Sequence, residues 1–192
     1  MRKNLLVGLV LAVAAVLVAG VSAWLDLELE SVALLGVTLG AVLALVPDRS
    51  PFVRLAGFAV GFVIAWIGYF LRAAVLPDST SGRAIVMALV IALAVAALAF
   101  SMGRMPLWSG LLGVAALVGA YEYTYAAAPP EVASTSVSAA TALLFTVAVG
   151  FLATVLVAPT GEEYVERSDR APKHADDVDD TDRLDDMMME TK

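Results

Sequence analysis

The sequence contains no cysteine and a single histidine, and these absences exclude several kinds of site. Without cysteine the chain cannot form a disulfide, a thiol nucleophile or a thiolate-bound metal centre. The one histidine, His174, lies beside Lys173 near the end of the chain and cannot build a catalytic triad or a multi-histidine metal site. No stretch matches a Walker A loop, a Gly-rich dinucleotide turn or a zincin motif. We therefore expect the protein not to be an enzyme and to have no cofactor or metal.

Charged residues are also scarce in most of the chain. Of the 192 residues 16% are charged and 60% are hydrophobic, whereas about 25% of the residues of soluble domains are charged. Residues 1–158 hold seven basic and seven acidic residues, so the whole net charge of −7 lies in residues 159–192. The chain has no basic face of the kind that binds nucleic acid, and we expect no nucleic-acid partner.

Long apolar runs make up most of residues 1–161. A helix needs about 20 apolar residues to cross the hydrocarbon core of a bilayer, and backbone groups in lipid must be hydrogen-bonded within the segment. The uncharged, mostly apolar runs are residues 4–25, 31–47, 55–71, 84–103, 105–121 and 132–161. The sequence therefore predicts an all-α, polytopic membrane protein, a bundle of six transmembrane helices in residues 1–160. Their predicted bounds are about 4–25, 31–47, 52–72, 83–102, 106–125 and 134–158.

The basic residues near the helix ends predict the orientation of the chain. With the amino terminus inside, eight of them are cytoplasmic: Arg2, Lys3, Arg49, Arg54, Arg104, Arg167, Arg170 and Lys173. Only Arg72 and Arg83 are then outside. Because Lys and Arg are enriched in cytoplasmic loops, we expect a multi-pass protein of the cell membrane with both termini in the cytoplasm.

The first apolar run has a competing interpretation. A basic start, an apolar stretch and the small residues Val21-Ser22-Ala23 have the outline of a signal peptide, which would remove residues 1–23. The later helices keep the same orientation in either case.

Small residues form stripes on two neighbouring helices. Gly36-x-x-x-Gly40 and Gly57-x-x-x-Gly61 each place two glycines on one face of a helix. Such stripes let helix backbones approach closely in a membrane, where no hydrophobic force drives helices together. They predict either packing within the bundle or an interface with a second copy of the chain.

Four polar residues are candidates for a polar pathway: Arg72, Glu122, Ser138 and Thr141. Arg72 ends the third predicted helix and either extends its guanidinium to the lipid headgroups or takes part in function. Glu122 is either a solvated carboxylate in a belt of tyrosines or a vestibule carboxylate that pairs with Arg72 or meets a cation. Hydroxyls such as Ser138 and Thr141 either bond to helix carbonyls and neighbouring helices or line a pathway.

One segment resembles a known family. Arg54-Leu55-x-Gly57-x-x-x-Gly61, just after a Pro-ended helix and a short basic loop, is similar to the start of the third helix in one membrane half of the FUSC (fusaric acid resistance, aromatic acid exporter-like) family. The outline of six helices over residues 5–158 is similar too. Phe58 stands where that family often has Thr or Ser, and the family's soluble region and second membrane half have no counterpart here. The resemblance implies export of small organic acids by a protein that pairs with another copy.

Two functions stay open at this stage. The expected one is a small-solute permease or exporter subunit. The alternative is a non-transporting membrane organiser or accessory subunit that binds a partner through its tail. Residues 161–192 are rich in acidic residues and poor in large apolar ones, which predicts a disordered cytoplasmic tail able to bind a basic protein. The expected partners are thus the lipid bilayer, a second copy and a basic protein.

Overall fold

The computed structural model describes residues 2–25, 30–75 and 80–157 of the chain. These residues form six α-helices and one short 3-10 turn, and they contain no β-strand. The helices are α1 (Arg2–Leu25), α2 (Glu30–Leu45), α3 (Pro51–Val75), α4 (Thr80–Phe100), α5 (Leu107–Ala127) and α6 (Val132–Val157). The prediction of an all-helical fold is confirmed for this part of the chain. The predicted disordered tail, residues 161–192, lies outside it.

The composition and surface of the helices indicate a membrane protein. Within the described part of the chain, three segments are long and apolar enough to cross a bilayer: Pro51–Val75, Ser81–Phe100 and Pro129–Val157. Large apolar side chains cover the outside of the bundle, as illustrated by Leu9 and Leu152, which are 62% and 58% exposed. An apolar surface as continuous as this is unusual for a soluble monomer and marks contact with lipid or with another protein.

Side chains from different helices meet at both ends of the bundle. At one end, which we call the proline end, the loops 46–50 and 101–106 are joined. There Trp108 Nε1 donates to Asp48 Oδ2 over 2.6 Å, and Arg49 Nη2 donates to the Gly103 carbonyl over 3.2 Å. At the opposite end, which we call the tyrosine end, Tyr69 of α3 contacts Tyr121 of α5. Because α3 and α5 both lead from the proline end to the tyrosine end, they run in the same direction.

Glycines make the closest contacts between helices. Gly61 of α3 lies against the carbonyl of Gly110 in α5, and Gly57 lies against Ser109. In the second pair, Gly40 of α2 lies against the carbonyl of Val147 in α6. A methyl group on any of these glycines would collide with its neighbour, so the absence of a side chain allows the two backbones to pack this closely.

One peripheral helix packs against each of the two glycine-packed pairs, which are α2 with α6 and α3 with α5. Helix α1 packs on α2 and α6, and helix α4 packs on α5 and α3. Exchanging α1 with α4, α2 with α5 and α3 with α6 therefore leaves the pattern of contacts unchanged. Helices joined by short connections run antiparallel, so the two groups of three helices run in opposite directions. An inverted repeat would have this order of helix contacts and directions.

Candidate functional site

An ion pair joins α3 and α5 at the tyrosine end. Arg72 Nη1 donates to both carboxylate oxygens of Glu122, over 3.0 Å to Oε1 and 3.3 Å to Oε2. The Arg72 side chain is only 6% exposed, whereas that of Glu122 is 37% exposed. The cation is thus fixed inside the protein, while its carboxylate partner is still accessible from outside.

Three tyrosines surround this pair. The Tyr69 hydroxyl donates to Glu122 Oε2 over 2.7 Å, and the Arg72 guanidinium carbon lies 4.4 Å from the centre of the Tyr125 ring. The rings of Tyr69 and Tyr121 pack edge to face with their centres 5.0 Å apart. A cation over an aromatic face is stabilised by the ring quadrupole. The tyrosines therefore supply a hydrogen bond to the carboxylate and a π face to the guanidinium.

Helix α6 holds this cluster in place from the other side. The hydroxyls of Tyr121 and Thr135 are 2.7 Å apart, and Trp66 Nε1 donates to Ser136 Oγ over 2.9 Å. Thr135 also donates to the carbonyl of Glu131, the last residue of the 3-10 turn before α6. Polar side chains of α6 thus hold Tyr121, which packs on Tyr69 beside the ion pair, and Trp66 farther along α3.

A cavity of about 380 Å³ lies beside the pair, between α3, α4 and α5. We call it the arginine groove, because two arginines are among its lining residues. Those residues are Ala65, Gly68, Tyr69 and Arg72 of α3, Arg83, Val86, Met87, Val90 and Ile91 of α4, and Leu111, Val114, Ala115, Val118 and Glu122 of α5. Its wall is apolar along most of its length, and the charged side chains lie together at the tyrosine end.

Glycines let α4 pack closely on α3 and α5 beside the groove. Gly68 allows Val86 and Val90 of α4 to approach α3, so the floor is built from small residues. Toward the proline end, the Leu98 side chain lies on Gly110, which brings α4 against α5. This contact lies next to the groove, since Leu111 of α5 is one of the lining residues.

The predicted polar residues fall into two places. Arg72 and Glu122 are in direct contact, as one of the sequence-based interpretations expected. Ser138 and Thr141 are exposed on α6 and are not among the described residues that line the groove. The Thr141 hydroxyl donates to the Val137 carbonyl of its own helix over 2.8 Å. Sequence reasoning placed all four in one pathway, whereas the structure brings only the charged pair together.

The predicted packing glycines all lie at helix contacts. Gly36 and Gly40 of α2 face Thr146 and Val147 of α6, and Gly57 and Gly61 of α3 face α5. The glycine faces are therefore in contact with other helices of the same chain.

Sequence reasoning missed Tyr69, Arg83 and the groove itself. Tyr69 precedes Arg72 by three residues and so shares its helix face, a signal that could have placed its hydroxyl near the same carboxylate. Arg54, counted above among the cytoplasmic basic residues, is buried, and its Nη1 donates to the carbonyls of Ala44 and Val46. It thereby satisfies carbonyls at the end of α2 that the helix leaves unpaired.

The described residues contain no cluster of three or more His, Cys, Asp or Glu side chains that could hold a metal ion. Comparison with protein-family models, with curated proteins and with solved structures returns no match for this chain.

Proposed function

We propose that this protein is a multi-pass membrane protein, with six spanning helices and both termini in the cytoplasm, that serves as a permease or exporter subunit for a small solute. The arginine groove is its solute-binding site. The α1 and α2 helices include shorter apolar stretches, Leu5–Gly20 and Val32–Leu45, and local thinning of the bilayer or snorkelling of the flanking residues would accommodate them.

The observation that carries this proposal is the charged end of the groove. Burying an ionisable side chain inside a membrane protein costs free energy, so such a side chain is taken as a candidate for a functional site. Here Arg72 and Glu122 line an apolar cavity of about 380 Å³, within the range of roughly 300–1,000 Å³ typical of small-molecule sites. An apolar wall with a few convergent polar groups at one end is the usual form of such a site.

Two further features support a transport role. Many transporters consist of inverted repeats whose substrates bind at the interface between the repeats, and the contacts of α1–α3 and α4–α6 follow that exchange pattern. The segment 54–61 resembles the FUSC family, and this resemblance implies that the solutes are organic acids and that the chain pairs with another copy. Organic anions also suit a groove that contains two arginines.

Flux through proteoliposomes tests the proposal. Benzenesulfonate and hexanesulfonate are charged at neutral pH and cross lipid slowly without a protein, so a permease should speed their entry well above that into empty liposomes. Benzyl alcohol, which crosses lipid unaided, should enter both kinds of vesicle at the same rate. Entry of both sulfonates at the rate of empty liposomes would contradict transport of organic anions by this chain.

One observation favours the alternative, a non-transporting organiser or accessory subunit with a tail that binds a basic partner. Hydroxyls of α6 bond within the helices: Thr146 donates to the Leu143 carbonyl and Thr154 to the Gly150 carbonyl. Such bonds need no aqueous pathway. Under this alternative the same proteoliposomes show no flux. A basic protein should then copurify with the full-length chain and be lost when residues 176–192 are deleted.

A further inference from the structure

Three hydroxyl side chains lie on the outer side of α6. Ser134, Ser138 and Thr141 are spaced by four and three residues, so they share one side of the helix, and all three are exposed. The opposite side, which includes Ala140 and Leu143, is buried in the bundle. We call the outer side, with its three hydroxyl residues, the hydroxyl face. It points away from the other helices of the described chain.

The hydroxyl face lies at the depth of the hydrocarbon core when α6 crosses a bilayer. Leu143 is the middle residue of the apolar segment Pro129–Val157. At a rise of 1.5 Å per residue, Ser138 is about 8 Å and Thr141 about 3 Å from it along the helix axis. The core extends about 15 Å to each side of the bilayer centre. Acyl chains, which neither donate nor accept hydrogen bonds, would therefore surround both hydroxyls.

The hydroxyl of Ser138 differs from the others on α6 because it has no partner. Its Oγ makes no hydrogen bond within the part of the chain that the structure describes, whereas the other six hydroxyl residues of the helix are all bonded: Ser134, Thr135, Ser136, Thr141, Thr146 and Thr154. A hydroxyl left unpaired in an apolar medium costs free energy. A hydrogen-bonding group from outside this chain would remove that cost.

A second copy of the chain supplies such a group. Across a two-fold axis identical residues face each other, and a hydroxyl can both donate and accept, so Ser138 is complementary to Ser138 of the second copy. Thr141 has used its proton on the Val137 carbonyl but can still accept. The small side chains of this face also allow two helices to approach closely.

We infer that the hydroxyl face of α6 is the contact surface between two copies of this chain in the membrane, with Ser138 at the two-fold axis and hydrogen-bonded to Ser138 of the second copy. The glycine stripes of α2 and α3 cannot serve as this interface, because helices of the same chain cover them. The inference goes beyond the proposed function, since it concerns another surface and requires no transported solute.

Disulfide cross-linking in native membranes tests the contact. The chain has no cysteine, so Ser138→Cys introduces a single thiol, and oxidation with copper phenanthroline should convert most of the protein into a linked dimer. A disulfide requires Cα atoms within about 7 Å of each other. Leu144→Cys on α6 and Leu93→Cys on α4 are the controls, because these positions are 42% and 47% exposed but lie off the hydroxyl face. They should give about fivefold less dimer, since chance encounters rarely bring two thiols within that range.

A dilution series in liposomes tests the hydrogen bond. Protein with one fluorophore at Met102→Cys, an exposed position, is diluted with lipid, and photobleaching steps give the fraction of dimers. Ser138→Ala should weaken association about fivefold, the effect of one hydrogen bond between helices in a membrane. Ser138→Leu should weaken it about tenfold or more, because the larger side chain separates the helices. Ala92→Leu, at an exposed position of α4, should leave association unchanged.

Several results would overturn the inference. Equal cross-linking of Ser138→Cys and the two controls would contradict the contact, and so would a disulfide to a different membrane protein. Equal association of Ser138→Ala and wild type would show that the hydroxyl bonds within its own helix. None of these measurements needs flux, so dimers without sulfonate flux would contradict the permease alone. Flux through a protein that stays monomeric would contradict the interface alone.

Discussion

Arg72 and Glu122 form an ion pair in which the arginine is buried and the carboxylate is partly open, with 6% and 37% of their side chains exposed. The closest atoms, Arg72 Nη1 and Glu122 Oε1, are 3.0 Å apart. A buried cation that loses its counterion is left with a large desolvation cost. The pair therefore both stabilises the contact between α3 and α5 and offers one charged group that a ligand could replace.

A double-mutant cycle should measure the strength of this pair. Combining Arg72→Gln with Glu122→Gln is expected to give a coupling energy of about 1–2 kcal/mol in reversible unfolding in mixed micelles, after allowance for the exposure of the carboxylate. The control cycle combines Asp48→Asn with Trp108→Phe, whose hydrogen bond is exposed at the proline end. It should give less than about 1 kcal/mol. Equal coupling in both cycles would argue against a special role for the buried pair.

Removal of one hydroxyl should weaken the same cluster. Tyr69→Phe keeps the ring that packs on Tyr121 but removes the donor to Glu122. We expect a loss of about 1.5–3 kcal/mol, the usual range for a hydrogen bond to a charged group. Tyr123→Phe is the control, because Tyr123 is 90% exposed on the same helix as Glu122, and its substitution should have no measurable effect. Similar unfolding midpoints for both variants would contradict the hydrogen bond.

Glycine substitutions should distinguish tight from open helix faces. A methyl group added at Gly61 would collide with the backbone of Gly110, whereas one added at Gly8 would meet no atom within 4 Å. Gly61→Ala should therefore destabilise the fold by about 1–3 kcal/mol through overpacking. Gly8→Ala should be neutral or stabilising by up to about 1 kcal/mol, because alanine is the better helix former. Unfolding in mixed micelles measures both, and an unchanged stability for Gly61→Ala would contradict the close α3–α5 contact.

The orientation of the chain can be tested with single-cysteine variants, because the sequence contains no cysteine that would have to be removed first. Met102 at the proline end and Tyr123 at the tyrosine end are 89% and 90% exposed. In intact cells a membrane-impermeant maleimide should label Tyr123→Cys, and it should label Met102→Cys only after permeabilisation. Labelling of both positions from the same side would contradict the proposed topology.

The sequence was sufficient to predict the helices because each apolar run is long and bounded by proline, glycine or charge. Every observed helix begins and ends within about one turn of its predicted bounds, as with the third, predicted at 52–72 and observed as Pro51–Val75. The contact between Arg72 and Glu122 was one of the alternatives that the sequence left open. Both residues lie at helix ends on the same predicted side of the membrane, which limited the choice of partners.

The rest of the site depended on which face of each helix meets its neighbours. Hydroxyl and apolar residues are spread around helix α6 with no distinct polar face, so helical spacing could group Ser138 with Thr141 but could not show that both are exposed. The groove depends on Leu98 lying on Gly110 and on Val90 lying on Gly68. Those contacts join positions far apart in the chain, and a single sequence has no local signal for them.

Flux through a blocked groove tests the central claim most directly. Ile91→Trp places a bulky side chain in the lining of the arginine groove, and Leu89→Trp places the same side chain on another face of α4. Entry of hexanesulfonate into proteoliposomes should fall to the rate of empty liposomes for Ile91→Trp and stay at the wild-type rate for Leu89→Trp. Equal flux for the two variants would contradict the assignment of the groove as the solute-binding site.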